Sequence, residues 1–158
     1  MREATRAKIE HETGQIDELL AGYMPLLELV STRSPDLTEI TAIAAVLHSF
    51  YNGIENIFGI VAKEIDQELP AGNNWHRTLL EQMAQSSRFR KPLINEKDRS
   101  ALLQYLSFRH FFRHAYSFHL DWEQMAPLVN QINSVWTGIR PTIEVLWLSE
   151  ENSDGTKY

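Results

Sequence analysis

The chain contains no cysteine in its 158 residues. That excludes disulfides and thiolate metal sites and fits a reducing, cytoplasmic setting. It also lacks any apolar run approaching the roughly 20 residues that span a bilayer, so no membrane segment is expected. The stretch from Arg2 to Thr13 is polar and charged, without the apolar core of a secretory signal. Glycine-rich phosphate loops, internal repeats and strand-like alternation are missing as well, and no cofactor is expected. With a net charge of −6, indiscriminate binding to nucleic acid is disfavoured.

What remains is helical periodicity. The length suits one domain over residues 1–150, large enough for a real core, followed by a polar tail at 151–158. Ile9, Ile16, Leu19, Leu20, Tyr23, Leu27 and Val30 recur at helical spacing and predict a first helix over 2–31, kinked near Tyr23 by Gly22 and Pro25. Ser34-Pro35-Asp36 reads as a helix start, with Ser34 as cap and Pro35 in the first turn. The second helix is expected to run to Leu69, about 33 residues or roughly 50 Å. Its stripe is Ile40, Ile43, Leu47, Phe50, Ile54, Ile57, Phe58, Val61 and Ile65. Gly53 and Gly59 inside it each cost about 1 kcal/mol against alanine, which close approach of another backbone would offset. Glu55 either faces the cleft and orients a cation of the motif or is solvated or structural, and the solvated or structural reading is favoured.

Three further helices are expected. Trp75 to Gln85 forms a short one, with His76 on its surface, and 86–94 forms a loop containing Pro92. Asn95 caps the next, with acids in its first turn. Asp121 caps the last, which runs past Pro127 and Pro141 to about Leu148, with Trp136 and Trp147 as core or interface aromatics. The fold class is therefore all-α, an up-down bundle of about five helices built on a long antiparallel hairpin.

The chemistry concentrates in Arg109-His110-Phe111-Phe112-Arg113-His114-Ala115-Tyr116. Residues 88–114 hold Arg88, Arg90, Lys91, Lys97, Arg99, Arg109 and Arg113 against Glu96 and Asp98, a local balance of +5 that leaves −11 elsewhere. A basic patch on an acidic body can attract one phosphate-bearing ligand selectively. An imidazole titrating near pH 6.5 can take up and give back a proton at neutral pH. A guanidinium can grip phosphate oxygens through paired hydrogen bonds. Together they suit attack of a ribose 2′-OH on its own 3′-phosphate, with His114 moving a proton and Arg109 stabilising the pentacoordinate charge. RNA supplies the nucleophile, so no metal is required. One histidine cannot readily serve both sides of an in-line attack, and a two-fold dimer would bring a second.

Helix geometry complicates this reading. Five residues turn about 500°, so Arg109 and His114 sit about 140° apart, and for them to converge the arginine must reach around or the helix must loosen near its end, for which Ser117-Phe118-His119-Leu120-Asp121 is the candidate. Arg109, Arg113 and Tyr116 share one face, His110 and His114 another. The His110/His114 pair could also begin a metal site. A zinc site needs at least a third protein ligand, no cysteine exists, and no glutamate follows His110.

The pattern Arg-x4-His-x-Tyr resembles the HEPN superfamily, and more narrowly the HepT-type toxins. Tyr51-Asn52-Gly53-Ile54-Glu55, Trp75-His76-x-x-Leu79-Leu80 and Phe108 through Tyr116, in this order, extend the resemblance from about residue 40 to 150. It implies a HEPN-like helical domain that forms a homodimer with a cleft between protomers and acts as a metal-independent endoribonuclease on tRNA or mRNA. By the same resemblance Arg109 and His114 are the catalytic pair, His110 is the polar residue usual after the arginine, and Arg113 supports phosphate binding. Tyr116 is the residue that a nucleotidyltransferase antitoxin adenylylates to silence the toxin. The superfamily also holds non-catalytic members, so the alternative is a helical module that docks such a transferase without chemistry of its own.

Overall fold

Two reciprocal capping boxes fix where the middle helices begin. The Asp36 carboxylate accepts from the Glu39 backbone N–H at 2.8 Å, and the Glu39 side chain accepts from the Asp36 N–H at 3.0 Å. Asn95 and Asp98 repeat the arrangement. Each box satisfies two backbone donors that a helix start leaves unpaired. The computed structural model describes residues 1–116 and 119–151. Its elements are α1 (Glu3–Thr32), α2 (Leu37–Ile60, continued by a π-helical stretch Val61–Asp66), α3 (Trp75–Met83), α4 (Glu96–His114) and α5 (Trp122–Glu151). Among the described residues there is no strand. The predicted all-α arrangement of five helices is what forms. Residues 117, 118 and 152–158, including most of the predicted polar tail, lie outside the described residues.

The hairpin of α1 and α2 is antiparallel, because partners run backwards along α2 as they advance along α1. Thr5 donates to Glu64 at 2.6 Å, Glu12 accepts from Asn56 at 3.2 Å, and Ile16 packs under Gly53. Ile9, Ile16, Ile43, Leu47, Phe50, Ile54, Ile57 and Phe58 fill the space between. The other helices close over this hairpin. Tyr105 of α4 donates its buried hydroxyl to the Leu128 carbonyl of α5 at 2.6 Å. Trp136 of α5 donates its indole N–H to Asp17 of α1 at 2.7 Å, and Arg140 joins the same carboxylate. Trp136 and Trp147 are core aromatics, as predicted.

Three boundaries differ from the sequence reading. Asp36, not Ser34, caps α2, because only its carboxylate reaches the third amide of the helix. Regular α2 stops at Ile60 rather than Leu69. A π-helical stretch follows, and Gln67, in the left-handed region at φ 58°, ends it. Glu68 N–H then bonds back to the Ala62 carbonyl at 2.9 Å. α3 ends at Met83, whose carbonyl accepts from Leu93 N–H at 2.9 Å. α1 passes through Pro25 as one helix to Thr32.

Arg90 explains how the loop after α3 is held. Its side chain is only 3% exposed, pairs with Asp66 at 2.5 Å, and donates to the carbonyls of Gln82, Gln85 and Lys91. A cation counted in the basic patch is thus an internal brace. Arg99 is likewise engaged, with Glu81 at 2.8 Å.

Candidate functional site

α2 carries three polar side chains, His48, Asn52 and Glu55, at i, i+4 and i+7 on a helix whose buried face is otherwise apolar. That spacing aligns them along one side. Arg109 of α4 lies across from them with its side chain 13% exposed. Its Nε donates to Asn52 Oδ1 at 2.6 Å, and one terminal nitrogen lies 3.9 Å from Glu55 Oε1. A nearly buried cation of this kind is tolerable only with such partners.

Glu55 also holds an imidazole. His76, near the start of α3, places Nδ1 2.7 Å from Glu55 Oε2. Its ring stacks on Trp75 with centroids 3.6 Å apart. Of the readings of Glu55, the solvated one is excluded: its side chain is 8% exposed and lies between Arg109 and His76. His76, expected at the surface, keeps a quarter of its side chain exposed while bonding this carboxylate. Tyr51, beside this group, has its phenol pushed well above the ordinary range by burial and then by Glu55.

His48 closes the other end. Its Nε2 lies 3.0 Å from Asn52 Nδ2, and its ring packs 5.3 Å from that of Phe112. Its Nδ1 is buried, and no described group pairs with it. Burial first, then the charges of Arg109 and Arg113, hold this imidazole below its ordinary value.

The remaining motif residues face outward. His114 is the last residue of α4 and is exposed, with its ring 4.9 Å from that of His110 one turn earlier. Arg113 and Phe111 are exposed beside them. Tyr116 is 72% exposed, with its ring 6.1 Å from that of His119. The helix ends at His114, inside the motif and earlier than the 117–121 stretch the sequence suggested, because Ala115 turns extended. No hydrogen bond or ring contact among the described residues joins Arg109 to His114, and α4 stays helical through both, which sets them about 140° apart around its axis. No third described histidine or acid joins His110 and His114 in a group able to hold a metal.

His48 and Asn52 carried no assignment from sequence. Their spacing at 48, 52 and 55 aligns them on one side of a helix but does not say which helix that side meets.

No helix among the described residues is long and apolar enough to cross a membrane. Comparison with curated proteins and with solved structures gave no match. A family model described as HepT-like protein matches residues 42–147. That span takes in most of α2, with its three aligned polar residues, α3, the whole of α4 and nearly all of α5. The chain belongs to the HepT-like family of the HEPN superfamily.

Proposed function

We propose that the protein is a metal-independent endoribonuclease toxin acting in a dimer cleft. A nucleotidyltransferase antitoxin would neutralise it by adenylylating Tyr116. The observation that carries this reading is the setting of Arg109. Of its five N–H donors, Asn52 takes one, and Glu55 sits beyond hydrogen-bond distance at 3.9 Å. The guanidinium is thus fixed in place with donors left over for phosphate oxygens. Pre-organised cations of this sort stabilise charge that develops on a transferring phosphoryl group.

In the proposed reaction the ribose 2′-oxygen forms a bond to the adjacent phosphorus while the bond to the departing 5′-oxygen breaks. One His114 accepts the 2′-OH proton. The His114 of the second protomer gives a proton to the leaving oxygen. The products are a 2′,3′-cyclic phosphate and a free 5′-OH. Exposed His110 and Arg113 flank the exposed His114 and would contact the RNA chain.

Arg109→Ala and His114→Ala are each expected to lower cleavage by about 10² to 10⁴ while leaving helical content unchanged. EDTA should have no effect on the wild type. Cleavage of a labelled RNA, with the product ends analysed, checks this. Loss of activity with EDTA would instead assign His110 and His114 to a metal.

One observation favours a second reading. Arg109 faces inward with partners already in place, as in a helical module that docks a nucleotidyltransferase without chemistry. Pure protein that binds such a transferase and cuts no RNA would establish it.

A further inference from the structure

Asn52 sits between a donor that cannot change and a ring that can. Arg109 Nε carries its proton at every working pH, so the Asn52 oxygen must face it, as the 2.6 Å bond shows. The amide nitrogen is thereby turned to His48 Nε2 at 3.0 Å. An amide N–H can donate only to a bare ring nitrogen. His48 is therefore neutral in this arrangement, with its proton on Nδ1. That nitrogen is buried without a described partner, and a native structure rarely leaves a buried donor unsatisfied without a reason.

We propose that Asn52 is a positioning residue for Arg109, and that it holds the guanidinium only while His48 is neutral. Protonation of His48 would set Nε2–H against the Asn52 N–H, donor against donor. Turning the amide over relieves that clash and creates the same one at Arg109 Nε. Either way one of the two bonds is lost.

The surroundings favour the neutral ring. The charged groups acting on it are Arg109 and Arg113, both cations of α4. Phe112 of the same helix covers it, Asn52 is its uncharged neighbour on α2, and no carboxylate among the described residues bonds it. The consequence for RNA cleavage rests on the ribonuclease reading above. The coupling itself belongs to the free chain.

Nitrogen-15 NMR of the full-length protein between pH 8 and 5 tests it. The expected result is a His48 ring protonated on Nδ1 and titrating below about 6.5. The Arg109 Nε–H resonance should move with the same midpoint. In Asn52→Ala that movement disappears. In Asn52→Asp the new carboxylate accepts from both neighbours, so His48 should titrate at higher pH than in the wild type. His48→Gln offers an amide oxygen where Nε2 was, so Arg109 should become indifferent to pH.

On RNA, Asn52→Ala should lose about ten- to hundredfold in kcat, the worth of a hydrogen bond to a charged group. His48→Gln should restore what His48→Ala loses, and the acid limb of its rate profile should lack the steepness of a second proton. An Arg109 resonance that stays still while His48 titrates, or a His48 protonated on Nε2 at neutral pH, overturns the proposal. Intact coupling in a protein that cuts no RNA overturns the ribonuclease reading alone. Cleavage without coupling overturns this inference alone.

Discussion

Tyr116 follows Ala115, whose extended backbone (φ −103°, ψ 148°) ends α4. A continued helix would have set the tyrosine about 20° around the axis from Arg109. The break places it instead on the open side of the motif, 72% exposed. A nucleotide attached to its oxygen would add negative charge and bulk close to where Arg113 and His114 would meet RNA. Silencing would then be electrostatic and steric, without a change of fold. Tyr116→Phe is expected to keep cleaving RNA and to escape silencing by an active transferase. Co-expression followed by intact mass measurement decides: wild type that gains no nucleotide mass, or a mutant modified and silenced equally, removes this role. The motif itself, Arg109 to Tyr116, could be read from spacing because its residues are neighbours in the chain. The frame around Arg109 could not. Nothing in the spacing of His48, Asn52, Glu55 and His76 says which of them faces α4, since that depends on how three helices rotate about their own axes. For this reason the sequence left open whether Glu55 orients a cation, is solvated or is structural. Charged residues are usually solvated, and only the arrival of Arg109 and His76 from other helices makes burial tolerable.

At the scale of elements the two glycines of α2 separate cleanly. A Cβ added at Gly53 would come within 2.7 Å of Ile16 Cγ1, while one at Gly59 would meet nothing within 4 Å. Both positions were expected to sit under another backbone. Only Gly53 is crowded, and by a side chain of α1 rather than by its backbone. Ile16 is 2% exposed and cannot easily move aside. Gly59→Ala should therefore stabilise the protein by up to about 1 kcal/mol through helix propensity. Gly53→Ala gains the same term and loses about 1–3 kcal/mol to overpacking. Denaturant unfolding of the two variants should show Gly59→Ala above wild type and Gly53→Ala below Gly59→Ala. Equal stabilities would mean that α1 yields at Ile16. The helices were legible because their stripes are long and regular. Their ends were less so. The π-helical stretch at Val61–Asp66 carries Glu64 to Thr5 and Lys8 of α1, and Asp66 to Arg90 beyond α3. Those partners lie 24 or more residues away, beyond the reach of any local propensity.

At the scale of the molecule, the long apolar stripes give less reason for a dimer than the sequence suggested. Ile9 and Ile16 of α1, and Ile43, Leu47, Ile54 and Ile57 of α2, are spent inside one chain. The case rests on the motif. Arg109 is held inward by α2, and His114 sits exposed at the end of α4. Phe111 beside it is 45% exposed, an apolar group on a polar, cationic surface. A two-fold pairing of α4 ends would cover Phe111 and give each cleft histidines from two chains. Such an interface typically buries about 800 Å² per partner. Light scattering at micromolar concentration should then give twice the 18.3 kDa chain mass. Phe111→Glu should convert the dimer to a folded monomer and abolish cleavage, because an exposed substitution costs the protomer itself only about 0.5 kcal/mol. A wild type that is monomeric, or a monomeric Phe111→Glu that still cleaves RNA, would rule out the two-copy site. Each chain would then have to bring its own second proton-transfer group to the phosphate.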